Sequence, residues 1–579
     1  MSPSAISFCI DLKKAALQYY SRYKVQPIMT NSDHNPSQSI SNAVRDRLRS
    51  MAETDKKDGI RTKFKSQPSR LAESSFDIDG FHIDFSKSHF SVELLEIYKS
   101  FAQEIDFPIK RESFLAGAKI NSSEDRSVLH TLLRDADNQG IAMERPETLD
   151  QARDSKRQFL TQYQSIREQL DKRASPITDI IHVGIGGSSL GTQLVFEALS
   201  AFDERVNIHF IGNIDAHQLV SVLAKCDADT TLVIGVSKTF TTAETLQNLN
   251  SIADWFTRNG VKSPLENFYG VTAAPTKAHD YGISESNVVS FPQWVGGRYS
   301  VWSSVSLSAA LVFGIDKFEE FLSGAAAVDR HFYKADLSTN LCFIAASLDH
   351  YYSNFMGAQS RAIFAYDYRL RSLVDYLQQL ETESNGKDRQ ISGAPVDQAT
   401  SAVVWGGVGT DVQHSVFQML HQGTSLIPAE FILVKNADHD LQEHHTELLA
   451  NGIAQTAALL AGQDYKTVSE VHADEELSEL TKQAKIFSGD RPSTTILLER
   501  LTPATLGALL AFYEHRTFCG GILCNINSYD QMGVELGKRL AKQVKPMLEA
   551  GARPKSQPQK SAEEFDPSTL ALVSRVLAD

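Results

Sequence analysis

Cysteine is scarce in this 579-residue chain: five residues, Cys9, Cys226, Cys342, Cys519 and Cys524, are scattered over its length. An odd number so spaced argues against a disulfide framework. The Gly-Gly-Ile-Leu between Cys519 and Cys524 makes neither a CxxC pair nor a repeated metal knuckle. Buried free thiols in a reducing, cytosolic compartment fit this pattern. Long apolar runs are missing too. The longest, such as Leu307–Ile315, fall far short of the roughly 20 residues a membrane-spanning helix needs. The chain opens on no basic stretch followed by an apolar core, so no secretory signal is expected. Positive charge is in deficit: 57 Lys and Arg stand against 71 Asp and Glu, a formal net charge of −14. No local basic patch offsets it, so nucleic acid and anionic lipid are unsuitable partners.

What is present is ordinarily globular, 42% hydrophobic and 22% charged. The length exceeds one core and implies at least two domains. Residues 1 to 75 are polar and interrupted, with a loop at Asn31–Ser39 between short helices at Leu12–Tyr23 and Ile40–Met51. A strand is expected at Phe81–Phe85 and a helix at Val92–Ile105. Asn121-Ser122-Ser123-Glu124 reads as a capping-type helix start before Val128, Leu129, Leu132 and Leu133.

From Ile177 the rhythm changes. Short apolar runs at Ile180–Val183, Val206–Ile211, Thr231–Val236 and Phe268–Thr272 alternate with helical stretches at Leu190–Leu199, Asp215–Leu223 and Ala243–Arg258. Such alternation implies βαβ units and a doubly wound sheet. It recurs at Arg361–Tyr366, Ala402–Trp405 and Phe431–Val434, with helices at Leu370–Leu380 and Asp411–His421. Two tandem α/β sheets are expected, then a helical C-terminal part at Pro503–Arg516 and Gln531–Leu548. Gly551–Lys560 reads as a linker, and Asp566-Pro567 as the start of a short docking helix.

Several segments carry possible chemistry. Gly184-Ile185-Gly186-Gly187-Ser188-Ser189 follows a strand and opens a helix, where free amides attract an anion. It is not a complete dinucleotide fingerprint, nor a Walker A loop. Ser237-Lys238-Thr239-Phe240-Thr241-Thr242 occupies the same position after the next strand. One hydroxyl suffices for a helix cap, whereas four in six residues favour a phosphate cradle. Both loops belong at the carboxyl ends of adjacent strands, where open α/β sheets bind ligands. In Gly296-Gly297-Arg298 two residues without side chains let the Arg approach a ligand, and Trp294, Tyr299 and Trp302 should pack over it. Glu383, in Glu-Ser-Asn-Gly-Lys, reads as a carboxylate in a tight polar turn, facing a pocket. His414 is placed at a helix N-terminus, which disfavours imidazolium. Lys538 is placed on a helix seven residues after Gln531, on the same face. His439, His444 and His445 match no zinc spacing.

These segments resemble the phosphoglucose isomerase family. Gly-Gly-Arg-Tyr-Ser at Gly296–Ser300 and Tyr-Asp-Gln-x-Gly-Val-Glu-x-x-Lys from Tyr529 match its two signatures. Gly-Ile-Gly-Gly-Ser, Ser-Lys-Thr-Phe, Glu-Ser-Asn-Gly-Lys, Gln-His-Ser-x-Phe-Gln and His-His-x-x-Leu-Leu-Ala-Asn occur in the family's order. The resemblance covers about Phe81 to Lys542. It implies two tandem sugar-isomerase domains, each a parallel-sheet α/β/α sandwich, with helical N- and C-terminal extensions. The expected partition is 1–137, 138–312, 313–552 and 553–579. The implied activity is reversible isomerisation of glucose 6-phosphate to fructose 6-phosphate in glycolysis and gluconeogenesis, by a cytoplasmic homodimer with no cofactor and no metal.

Carried over by motif, Glu383 is the base that moves a proton between C2 and C1 through a cis-enediol, and Arg298 stabilises the enediolate. His414, expected from the neighbouring subunit, and Lys538 open the sugar ring. Ser237, Lys238, Thr239 and Thr242 hold the phosphate, while Gly187, Ser188, Gly297 and Gln531 line the same pocket. Two departures stand out. Ser189 replaces the family's usual Asp, and Gly406-Gly407-Val408-Gly409 replaces Gly-Glu-Pro-Gly before His414. A dual phosphoglucose/phosphomannose isomerase uses the same base. A non-catalytic sugar-phosphate sensor should have lost some of Glu383, Arg298, His414 and Lys538, and all four are present.

Overall fold

Eleven strands form two sheets in the computed structural model, which describes residues 40–78, 80–135, 143, 146–200, 206–549 and 565–578. The expected helix Leu12–Tyr23, the loop Asn31–Ser39 and the linker Gly551–Lys560 lie outside the described residues. In chain order the strands are β1 (Ser75–Ile78), β2 (Phe81–Asp84), β3 (Asp179–Val183), β4 (Asn207–Ile211), β5 (Thr231–Val236) and β6 (Phe268–Thr272). They continue as β7 (Val288–Ser290), β8 (Ser360–Tyr366), β9 (Val403–Val408), β10 (Ala429–Val434) and β11 (Ser493–Leu498).

The first sheet runs β4-β3-β5-β6-β7 and is parallel throughout. Its chain reverses direction of growth between β3 and β5, which opens a crevice at their carboxyl ends. The second runs β1-β2-β11-β10-β8-β9. Strands β11, β10, β8 and β9 are parallel, and the hairpin β1–β2 adds an antiparallel edge by pairing β2 with β11. The region expected to be mostly helical before residue 138 thus donates two strands to the second sheet.

Strand side chains alternate between faces, so each sheet feeds two cores. On β5, Leu232, Ile234 and Val236 join one large cluster, and Val233 enters a separate one with Ile181 and Val183. On β10, Ile432 and Val434 join that same large cluster, whereas Phe431 and Leu433 pack on the far face with Phe364 and Tyr366. The two sheets therefore share a central core.

Through that core runs the helix Pro503–Leu523, with a Thr502 capping box at its start and eighteen of its residues buried. A helix apolar nearly all round can be stable only when enclosed. The sequence reading had it as part of a C-terminal helical region, but it is a central strut. Its buried Arg516 meets Asp349 at 2.6 Å and Glu430 at 2.6 Å, and Arg361 meets Asp349 at 2.7 Å. Burial tends to raise the carboxyls of Asp349 and Glu430, yet the two guanidiniums outweigh it and hold both below their ordinary range. Buried charges persist only with partners of this kind.

Several expected spans are met closely, including Val92–Glu104, Leu190–Leu199, Ala243–Arg258 and the tail helix Pro567–Val576. The short helix expected at Ile40–Met51 instead runs on as Asn42–Ser66. The one expected at Asp411–His421 divides into a 3₁₀ turn, Asp411–His414, and a helix, Phe417–Gln422. The Asn121–Glu124 segment differs. It forms a turn closed by an Asn121–Arg126 bridge, and the helix begins only at His130. Asn121 Nδ2 donates to Glu124 and Ser123 to Asp530, so these side chains are taken up by the turn instead of capping a helix.

Candidate active site

Strand β3 ends at Val183, and the chain turns through Gly186–Ser188 into the helix Leu190–Leu199. The turn is held from below by His182. Its Nε2 lies 2.7 Å from the Ser188 carbonyl and its Nδ1 2.8 Å from Ser308 Oγ. Burial pulls this imidazole down to about 4, so at neutral pH it is uncharged. A neutral ring has one N–H, and a carbonyl cannot donate, so Nε2 donates to Ser188 and Nδ1 accepts from Ser308. Gly187 faces the backbone of Gly297 and Arg298 so closely that a Cβ there would collide with it. Ser300 Oγ donates to the Gly187 carbonyl at 2.9 Å and fastens the two loops together. Glycine at 187 is what permits that approach, whereas a Cβ at Gly297 would meet Gly187 only at ordinary contact distance.

On the neighbouring strand, β5 ends at Val236 and leads to Ser237–Thr242 before the helix Ala243–Arg258. Ser237 and Thr242 hydroxyls lie 3.0 Å apart, as do Thr239 and Thr241 at 2.8 Å. Thr242 is the N-cap, yet its side chain makes no cap hydrogen bond, so the helix's first amides keep their anion-binding capacity. Lys238 Nζ donates to the Val295 carbonyl at 2.9 Å, tying this loop to the Arg298 segment. Burial, helped by repulsion from Arg126, lowers this ammonium to about 8. The Arg126 turn is therefore part of the same neighbourhood, a link the sequence reading missed.

Glu383 does not sit in a free turn. It closes a π-helical turn, Gln379–Glu383, that continues the helix Leu373–Gln378. π-turns of this kind re-aim side chains and recur at functional sites. Glu383 lines a cavity of about 850 Å³ together with Ser122, Ser123, Gln379, Asp530 and Gln531. Its Oε2 is buried, lacks a hydrogen-bond partner, and lies 3.6 Å from Arg298 Nη1.

Arg298 is the most constrained side chain of the group. Nε donates to Ser384 Oγ at 2.6 Å, Nη1 to Gln531 Oε1 at 3.0 Å, and Nη2 to the carbonyls of Ser528 at 2.7 Å and Asp530 at 3.0 Å. Tyr299 and Trp302 are buried as expected, whereas Trp294 is half-buried and donates to Gln151.

The Glu-Ser-Asn-Gly-Lys run now reads as one device. Glu383 faces the cavity, and Ser384 orients Arg298. Asn385 donates to Thr517 on the buried helix and accepts from Ser528, at 2.8 and 2.7 Å. Lys387 Nζ binds the carbonyls of Ser384, Asn527 and Asp530 and the Asp530 carboxylate, all between 2.9 and 3.1 Å. The sequence reading used only the Glu. The burial of Ser384 and Asn385, and the half-buried Lys387 beside them, have no signature in a single sequence. Gln379 was also missed. It lines the cavity, and its Nε2 sits over Gly186, about where a Cβ there would point.

The structure thus gathers Gly187, Ser188, Ser237, Lys238, Thr242, Gly297, Arg298, Glu383 and Gln531 around linked loops, with Thr239 at the exposed rim. Gln531 precedes the helix Glu535–Glu549 and is not on one face with Lys538. Lys538 is exposed and paired with Glu535 at 3.0 Å. His414 ends the 3₁₀ turn Asp411–His414 and is exposed. Neither His414 nor Lys538 lines the cavity. Strand β9 extends through the departing Gly406-Gly407-Val408. Gly406, at φ 148°, lies against the Ile363 carbonyl with no room for a Cβ.

Residues 84–573 match the family model described as phosphoglucose isomerase. The chain belongs to the phosphoglucose isomerase family. It is 44% identical over 515 residues to the glucose-6-phosphate isomerase of Rhizorhabdus wittichii, covering 89% of this chain and 95% of the relative. Identity to the glucose-6-phosphate isomerase of Zymomonas mobilis is 41%, covering 90% and 95% of the two. A crystal structure of a glucose-6-phosphate isomerase from Chlamydia trachomatis superposes with a TM-score of 0.79 at 29% identity, covering 93% of this chain and 99% of that one.

Proposed function

We propose that the chain interconverts D-glucose 6-phosphate and D-fructose 6-phosphate, with Glu383 as the base and Arg298 as the oxyanion partner. The observation that carries this assignment is the unpartnered, buried Glu383 Oε2 beside a guanidinium whose other contacts are all fixed by the protein. The chemistry is proton transfer α to a carbonyl, which needs a carboxylate at the carbon acid and a cation at the developing enediolate oxygen. A guanidinium anchored by Ser384, Ser528, Asp530 and Gln531 loses little freedom when that charge forms. Glu383 takes the C2 proton of the open-chain aldose and returns it to C1.

The phosphate is assigned to Ser237, Lys238, Thr239 and Thr242 with the amides at the start of Ala243–Arg258. Gly187, Ser188 and Gly297 supply the facing wall, and Gln379 and Gln531 reach the sugar. Ring opening is assigned to His414 and Lys538. Because both lie exposed and off the cavity, His414 is taken to come from a second copy in a homodimer. The enzyme is placed in the cytoplasm, within glycolysis and gluconeogenesis. Among the described residues no helix is long and apolar enough to cross a membrane. The proposed domains are 138–312 and 313–552, flanked by extensions at 1–137 and 553–579.

The test is conversion of fructose 6-phosphate to glucose 6-phosphate, read by a coupled dehydrogenase, for wild type and Glu383→Gln side by side. Turnover in wild type that collapses in a folded mutant is expected. A folded wild type that binds 6-phosphogluconate and turns nothing over would instead make the chain a sugar-phosphate sensor.

A further inference from the structure

At the opposite end of β3 from the Gly184–Ser189 loop, three side chains from separate segments converge. Asp179 opens β3, His209 stands in the middle of the edge strand β4, and Cys226 lies in the turn between the helix Ala216–Leu223 and β5. One ligand atom of each lies within 4.8 Å of the others, the only such trio of His, Cys, Asp or Glu among the described residues. We infer that Asp179, His209 and Cys226 form a binding site for a borderline-soft divalent ion of the Zn²⁺ type, remote from the isomerase centre.

The donor set selects the ion. A thiolate, an imidazole and a carboxylate suit Zn²⁺ or Co²⁺, whereas Mg²⁺ and Ca²⁺ prefer all-oxygen sites. Three protein ligands leave one position of a tetrahedron for water. The surroundings are already ordered. His209 Nε2 lies 2.7 Å from Asp179 Oδ1, and Thr178 Oγ1 lies 2.8 Å from Asp179 Oδ2 and from Thr230 Oγ1. The carboxylate is therefore oriented by a neighbouring hydroxyl, as outer partners orient ligands in metal sites. Cys226 also differs from its fellows. Cys342, Cys519 and Cys524 are buried, while Cys226 is half-buried.

Metal entry breaks the His209–Asp179 hydrogen bond. The Nε2 proton moves to Nδ1 by tautomerisation, the thiol proton leaves to solvent, and metal–N, metal–O and metal–S bonds form. The bound ion would pin three segments at the amino-terminal end of the first sheet. It would act on stability, because β3 itself, about 16 Å long at ~3.3 Å per residue, separates it from the phosphate side.

The probe is Co²⁺, titrated into the full-length chain in thiol-free buffer. The expected result is a near-ultraviolet thiolate-to-cobalt charge-transfer band that saturates at stoichiometric metal, is bleached by Zn²⁺ and is absent from Cys226→Ser. His209→Asn should raise the Co²⁺ Kd by about tenfold or more. Isomerase activity of Cys226→Ser should match wild type, which certifies its fold, and should that variant not fold, His209→Asn carries the comparison. No band in active wild type, a band that survives Cys226→Ser, or an unchanged Kd in His209→Asn would overturn the site. The readout is spectroscopic and stands or falls separately from the isomerase assignment.

Discussion

Arg298 and Lys538 are cations from motifs of the same family pattern, and the fold treats them in opposite ways. Arg298 is buried, with all three guanidinium nitrogens bonded to Ser384, Gln531 and the Ser528 and Asp530 carbonyls. Lys538 stands on the exposed helix Glu535–Glu549 with Glu535 alone for company. The same contrast separates Glu383, held at the end of a π-turn against the cavity, from His414, which faces solvent. The half assigned to proton transfer is thus organised by one chain. Among the described residues, the half assigned to ring opening is held by little beyond the surface pair of Lys538 with Glu535. A surface ion pair is worth little, whereas a guanidinium with four protein partners is fixed before substrate arrives.

Substituting within the buried half should do the most damage. Arg298→Lys cannot reproduce the forked contacts, and kcat should fall about 100- to 1,000-fold with the fold retained, as steady-state kinetics and circular dichroism would register. Lys387→Met acts one layer further out. It takes the ammonium from the Ser384 and Asn527 carbonyls and removes one donor from Asp530, which keeps Arg298 at its carbonyl and Ser123 and Asn527 at its carboxylate. Thermal unfolding should show a loss of roughly 2–3 kcal/mol. Preserved stability would mean that the Asp530 loop is held by other contacts.

The exposed half is sharpened by mixing. If His414 serves the partner's cavity, His414→Ala and Glu383→Gln should each be nearly inactive alone. Random mixed dimers, half of the total with one intact site each, should recover about a quarter of wild-type activity. No recovery after subunit exchange would place His414 in its own chain's site or outside the mechanism.

The smallest effect concerns Lys238. Its ammonium sits near 8 in the free protein. As pH rises through that value the folded protein loses the positive charge assigned here to the phosphate, so KM should climb several-fold between about pH 7.5 and 9. Bound phosphate favours the charged form, so kcat at saturation should stay flat. Lys238→Met should start from a higher KM and lose the slope.

How much of this was legible depended on whether the signal was local. Strands β3, β5 and β6 are apolar, β-branched runs bounded by turn residues, and their spans emerge directly. Strand β11, Ser-Thr-Thr-Ile-Leu-Leu, and the hairpin strand β1 carry too few apolar residues to stand out, and pairing partners define them. The helix Glu147–Asp171 buries only Thr148, Ala152, Phe159, Tyr163 and Ile166 out of twenty-five residues, a stripe too thin to stand out. Individual motif residues of the site were readable because the resemblance to the family marks them. Ser384, Asn385 and Lys387 were opaque as supports, because Arg298, the partner of Ser384, lies 86 residues away, and Thr517, Asn527, Ser528 and Asp530, the partners of Asn385 and Lys387, lie more than 130 residues away. His182 hid inside an apolar strand, where a lone histidine gives no hint that it holds the Ser188 carbonyl.

The central claim is that Glu383 moves the carbon-bound proton. It is tested most directly by incubating glucose 6-phosphate with the enzyme in deuterated water and following C2 and C1 of the sugar phosphates by NMR. Wild type should introduce solvent deuterium at these carbons as it turns over. Glu383→Gln should bind the same substrate while exchange and turnover both fall about 100- to 10,000-fold, the range for loss of a positioned base. Deuterium entering at the wild-type rate in Glu383→Gln would contradict the account and pass the base to another group.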